Sequence, residues 1–340
     1  MRACKPNQEG FVDCSGFKLH YEIYGESGPT LLLLPTWTII HKRFWKLQLA
    51  YLARHMRVVA YDGPGNGLSD RPTDPAAYHH AAQVRYALAV LDATGTDRAC
   101  LVSLSVASNW ALDLAANHPG RVLGSAFIAP ALDLADSHPE RAEHIDADGP
   151  APKNLATSRV RLGGDDPLGD WAKYNVDYWR AHHEDFLWFF FGQCFSEPHS
   201  TKPIEDCVAW GLETQPEVLV ADHRIEDSPD RATLEAFCAR VTCPVLVIHG
   251  DGDRISPLAR GERLAALTGG ELAVLEGGGH IPLARDPVQV NLQLKAFADR
   301  LMPPRPLRRA WTRARRRQKR VLYLSSPIGL GHARRAVSRS

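Results

Sequence analysis

Three residues with the chemistry of an activated nucleophile stand far apart in this chain. Ser105 lies in Leu101-Val102-Ser103-Leu104-Ser105-Val106-Ala107, where a β-branched apolar run passes straight into a helical stretch. A serine on such a turn is held in a strained backbone conformation, with its hydroxyl exposed above the sheet. A hydroxyl is a weak nucleophile until a base takes its proton. His280 is the predicted base, because Gly277-Gly278-Gly279 before it makes a loop permissive enough to aim an imidazole into a cleft. Asp253, in Gly250-Asp251-Gly252-Asp253, is the predicted acid that fixes the imidazole tautomer and stabilises the imidazolium. Asp251 competes with it as acid or turn former, and Asp133 is a further candidate past an earlier strand. Acyl chemistry also needs two backbone donors for the developing oxyanion. Val106 supplies one by position, and the other falls in Pro35-Thr36-Trp37. Pro35 has no N–H, which leaves Thr36 or Trp37.

The elements that must position these residues alternate between two periods. Apolar runs at Thr30–Leu34, Arg57–Tyr61, Ala99–Leu104, Val122–Ile128, Val245–His249 and Glu271–Leu275 read as strands of a mostly parallel sheet. Phe11–Cys14 and Phe17–Tyr24 read as an opening hairpin with Ser15-Gly16 at its turn. Helical periodicity appears at Phe44–Arg54, Tyr78–Ala93, Val106–Asn117, Leu258–Leu267 and Pro287–Leu301. Ser105, Asp253 and His280 each fall just past the C-terminal end of a predicted strand. Between about 132 and 240 the alternation stops. That stretch is rich in aromatics, among them Trp171, Trp179 and Phe189-Phe190-Phe191, and is too apolar for a disordered linker. It is predicted to be a helical insertion over the sheet edge, its aromatics forming mainly the insertion's own core.

The loop Asp62-Gly63-Pro64-Gly65-Asn66-Gly67-Leu68-Ser69-Asp70-Arg71-Pro72 and the helix end Asn117-His118-Pro119-Gly120-Arg121-Val122 make the resemblance specific. Over about residues 11–301 the chain resembles the α/β-hydrolases of the esterase, C–C hydrolase and haloperoxidase-like group. The resemblance implies an α/β-hydrolase fold with a helical cap at 132–240. It also implies a Ser105–Asp253–His280 triad working on a small acyl substrate through an acyl-serine, without metal or cofactor. Carboxylesterase-type chemistry is expected first. A C–C hydrolase or a cofactor-free perhydrolase would use the same triad, and a non-catalytic ligand-sensing or scaffold module would share the fold. The family's Asp62 loop is structural. Haloalkane dehalogenases and epoxide hydrolases of this fold use an aspartate nucleophile, and serine at 105 argues against both. Two departures stand out. The elbow has Ser103 and Ala107 where glycines are usual, and Pro-Thr-Trp replaces the usual His-Gly. The residue after His-Gly corresponds to Trp37, which makes Trp37 the expected second oxyanion donor.

Charge divides the chain. The whole carries 40 Lys and Arg against 39 Asp and Glu. Residues 302–340 hold 12 of the basic residues and none of the acidic ones, which leaves 28 against 39, a net −11, in the body. The stretch 302–320 is expected to be a solvated basic linker rather than a nucleic-acid patch. Residues 321–340, Val321-Leu322-Tyr323-Leu324 followed by Ser325-Ser326-Pro327-Ile328-Gly329-Leu330-Gly331-His332, resemble the opening strand and loop of a two-domain nucleotide-sugar glycosyltransferase. They are read as the truncated start of a second domain, too short for transferase activity. Seven cysteines, odd in number and without Cys-x-x-Cys spacing, suggest reduced thiols. With no apolar segment long enough for a signal peptide or a membrane span, a cytoplasmic protein is expected.

Overall fold

A computed structural model describes residues 4–301, apart from 15, 27, 146–147, 151–170 and 224–227. The predicted basic linker at 302–320 and second-domain start at 321–340 lie outside the described residues. The opening hairpin is β1 (Gln8–Asp13) and β2 (Lys18–Tyr24), paired antiparallel. It is followed by β3 (Thr30–Leu33), α1 (Lys46–Leu52), β4 (Arg57–Tyr61), α2 (His80–Ala93), β5 (Ala99–Leu104), α3 (Ala107–Asn117) and β6 (Val122–Ile128). The sheet is completed by β7 (Val245–Gly250) and β8 (Glu271–Leu275). Strand order is β1-β2-β4-β3-β5-β6-β7-β8, with every pair from β4 to β8 parallel. This is the α/β-hydrolase fold.

The parallel strands are apolar throughout because both faces are covered. Leu31, Leu33, Val58, Val102 and Leu104 join a core on one face with Trp45 and Leu52 around α1. Leu32, Val59 and Leu101, one residue out of phase, join a second core with residues of α2 and α3. The helix expected from Phe44 begins later, at Lys46, because Lys42–Trp45 forms a 3₁₀ turn whose first N–H groups are capped by His41.

Between β6 and β7 the described residues form α4 (Pro139–His144), α5 (Val176–Ala181), α6 (His183–Cys194), α7 (Thr201–Gly211), α8 (Pro216–His223) and α9 (Arg231–Arg240). The described part of the stretch between β6 and β7 is helical, but α9 does not join the other helices. Its Leu234 and Cys238 enter the core beside α2 and α3. The aromatic residues of α5 and α6, with Trp171, enter the opposite core. The helical layer over the sheet edge therefore ends before α9. The chain closes with α10 (Leu258–Thr268), α11 (Pro282–Arg285) and α12 (Pro287–Leu301).

In sheet order β3 lies beside β5, and the connections leaving these two strands run in opposite directions, to β4 and to β6. A crevice opens at the carboxyl ends of strands at such a switch point. The loops after β3 and β5 emerge there, and those after β7 and β8 lie beyond them on the same sheet end.

Candidate active site

Ser105 and Val106 are the two-residue connection between β5 and α3. Ser105 has φ +58°, a left-handed conformation costly for a side chain with Cβ. Its backbone is held on both sides: its N–H donates to Ile128 O at 3.0 Å, and its carbonyl accepts from Ser108 N and Ala131 N. The flanking Ser103 and Ala107 are fully buried, which explains why both must be small. Ser103 Oγ lies 3.4 Å from Ser108 Oγ and 3.4 Å from Ala126 O, pointing into the protein.

Ser105, His280 and Asp253 come together. His280 Nε2 is 2.9 Å from Ser105 Oγ, and His280 Nδ1 is 2.8 Å from Asp253 Oδ2. A carboxylate only accepts, so Nδ1 carries the proton and Nε2 is free to accept from the serine hydroxyl. Asp253 Oδ1 takes the N–H groups of Ile255 at 2.8 Å and Ser256 at 3.0 Å. Burial by itself would raise the Asp253 carboxyl. The charge of His280 and hydrogen bonds from His249 and His280 outweigh it and hold the group well below the usual carboxylate range. The loops carrying acid and base touch through glycine: a Cβ on Gly250 would lie 2.0 Å from Gly278 O. The base is also tied to the helical insertion, since His280 N donates to Cys194 O at the end of α6.

The competing acids stand elsewhere. Asp251 accepts from Gly277 N at 2.6 Å and is exposed, as a turn former would be. Asp133 is about half exposed and pairs with Arg231. Asp62 is buried under its own loop, accepting from Lys42 Nζ at 2.7 Å and from the N–H groups of Lys42 and Leu68. Gly67, at φ +52°, passes so close that a Cβ would lie 2.2 Å from Asp62 Oδ2. The loop is structural in geometry, as its resemblance implies.

Thr36 Oγ1 donates to Leu104 O at 3.0 Å, clasping the loop after β3 to the end of β5. Among the described residues, neither the Trp37 nor the Val106 N–H is taken by a backbone carbonyl. Ser105, Val106 and Trp37 line one cavity of about 290 Å³. The Trp37 indole stacks on Tyr174 and meets Trp179, Phe186 and Phe190 edge-on. Most of these aromatics are core, and only Tyr174 and Phe190 join Trp37 in the cavity wall.

His249 belongs to this site and was not foreseen. It is fully buried at the end of β7, with Nε2 3.2 Å from Asp253 Oδ2 and 3.0 Å from Ser256 O. Both partners are acceptors, so Nε2 carries a proton and donates to the carboxylate oxygen that also serves His280. A histidine in an otherwise apolar strand, four residues before the acid, was the signal available.

The family model for the alpha/beta hydrolase fold matches residues 29–159. Among curated relatives, the chain is similar to a protein of Variovorax paradoxus named carbamate hydrolase RutD. The two are 26% identical over 304 residues, covering 84% of this chain and 98% of the relative. Among solved structures it is similar to an enol-lactonase from Burkholderia xenovorans LB400, with a TM-score of 0.64 and 20% identity over 85% of this chain and 99% of the other. An esterase from Exiguobacterium antarcticum gives a TM-score of 0.66 at 17% identity, covering 85% and 98%. The resemblance of 321–340 to a glycosyltransferase opening is not borne out by these comparisons. Among the described residues, no helix is long and apolar enough to cross a membrane. The sheet order and the family match agree over β3 to β6, and the chain has the α/β-hydrolase fold.

Proposed function

We propose that the chain is a serine hydrolase that cleaves an ester or related acyl bond through an acyl-Ser105 intermediate. The observation that carries this is the unbroken relay Ser105 Oγ–His280 Nε2–Asp253 Oδ2, at 2.9 and 2.8 Å, ending in a cavity. His280 takes the hydroxyl proton as Ser105 attacks the acyl carbon, and later returns it to the leaving oxygen. Asp253 stays ionised and stabilises the imidazolium. The N–H groups of Val106 and Trp37 are the donors for the oxyanion. Water then attacks the acyl-enzyme, with His280 as base again.

A fluorophosphonate probe tests this on the intact chain. A covalent adduct is expected on Ser105 and should vanish in Ser105→Ala, whose melting temperature should be close to the parent's. Absence of an adduct on folded protein, or its loss in Ser103→Ala instead, would overturn the assignment.

A further inference from the structure

The cavity at Ser105 has a cationic wall that the acyl chemistry does not use. Arg141, on α4, and Arg260, on α10, both line it. Neither belongs to the triad or to the oxyanion loop.

Arg141 is fixed rather than loose. Its Nη1 donates to Ile255 O at 2.8 Å, two residues past the triad acid. Its guanidinium lies over the rings of Trp171 and Tyr174, 5.3 and 6.0 Å from their centroids. The neighbouring His138 donates from Nε2 to Asp253 O at 2.8 Å, pinning the start of α4 to the same loop. Nε of Arg141 is buried and has no hydrogen-bond partner. Among the described residues, no carboxylate lies within ion-pair distance of it. An orphaned buried guanidinium donor is costly unless something arrives to accept from it.

Arg260 adds a second cation. Its Nε donates to Ala135 O at 2.9 Å, and its side chain is 11% exposed. Asp133, the nearest carboxylate, is 3.7 Å from Nη2 and more than half exposed. Burial, and after it the like charge of Arg141, push the Arg260 guanidinium down from its ordinary value. Two like charges thus sit close enough to disfavour one another in a partly dry cavity. Asp222, a carboxylate in the same lining, is engaged by Thr38 Oγ1 at 2.7 Å. A planar guanidinium with a free edge is suited to bidentate recognition of a carboxylate.

We propose that Arg141 and Arg260 form a carboxylate-binding wall, so that the substrate cleaved at Ser105 is a small ester or related acyl compound carrying its own carboxylate. This deepens, and rests on, the serine-hydrolase reading. The cavity volume is at the small end for ligand pockets and suits a short diacid half-ester rather than a long neutral acyl chain.

The test compares mono-4-nitrophenyl glutarate with 4-nitrophenyl valerate, which has the same acyl length without the charge. Charge-assisted hydrogen bonds of this kind correspond to about 10- to 100-fold. The expected result is a kcat/KM at least about 10-fold higher for the glutarate ester. That ratio should collapse toward one in Arg141→Met, and to a lesser degree in Arg260→Met. Because each variant is read as a ratio of two substrates, partial misfolding cancels. Similar kcat/KM for the two esters, or a preference that survives both substitutions, overturns the carboxylate wall and leaves the hydrolase intact. If neither ester turns over and no fluorophosphonate adduct forms, the hydrolase reading fails. Titration calorimetry with glutarate then decides the wall alone: binding that is lost in Arg141→Met supports it, and no binding overturns it.

Discussion

Two buried aspartates follow parallel strands of the same sheet, Asp62 at the end of β4 and Asp253 beyond β7, and their partners differ in kind. Both are almost fully buried, and both are held below the usual carboxylate range. The closest partner of Asp62 is a fixed cation, Lys42 Nζ at 2.7 Å, itself buried; backbone N–H groups of Lys42 and Leu68 bind the carboxylate too, and His20 Nδ1 stands off at 3.7 Å. Its bonds close on themselves and hold a loop. Asp253 faces two imidazoles, and one of them leads on to a hydroxyl in a cavity. A permanent charge makes a buried carboxylate into architecture, whereas a partner that can gain and lose a proton at neutral pH leaves it available for chemistry.

The sharpest way to break this comparison is to remove the charge of each acid in turn. Asp253→Asn should lower kcat on an activated ester by roughly 10³–10⁴-fold, with the fold retained, because the imidazole would lose its tautomer control. Steady-state kinetics beside circular dichroism check this. Asp62→Ala should act on the other coordinate. It leaves the buried Lys42 ammonium with Glu22 at 3.4 Å as its remaining carboxylate partner and should cost about 3 kcal/mol in a urea unfolding experiment. A large loss of activity per folded molecule in Asp62→Ala, at unchanged stability, would erase the distinction.

Acid separates the two further. Burial would raise the Asp62 carboxyl, but the nearby His20 imidazole and the charge and hydrogen bond of Lys42 bring it down to about 2. A carboxyl with a folded pKa below its unfolded one stabilises the fold above the unfolded value, and that contribution fades as pH falls through the folded one. Stability should therefore drop by about 2 kcal/mol between roughly pH 4 and pH 2 on account of this group. Asp62→Asn should flatten that part of the curve, as followed by urea midpoints across pH.

Much of the sheet was legible because its signal is redundant. β4, β5 and β6 are continuous apolar runs, and strands covered on both faces leave no other place for such runs. Ser105, Asp253 and His280 could be found because each follows one of those strands. The helix α9 misled because it continues the insertion in sequence. Its fully buried residues are Leu234 and Cys238, with Phe237 partly buried beside them, and so short a set is too little to show a period. His249, Arg141 and Arg260 stand in no motif, and their roles depend on which atoms they meet across the fold. His249 donates to an acid brought back by a tight loop. The arginines enter the cavity from separate elements more than 100 positions apart in sequence.

The contact between Gly250 and Gly278 has a consequence for how the proposed activity could be lost or adjusted. Asp253 and His280 ride on different loops, and these pass so close that a side chain at 250 would strike the backbone carbonyl of Gly278. A single methyl group there would act as a wedge, opening the relay while leaving every reacting atom present. Lineages or laboratory libraries that retain all three triad residues could thus drift to silence through position 250. A count of intact triads would overstate how many such proteins still turn over substrate.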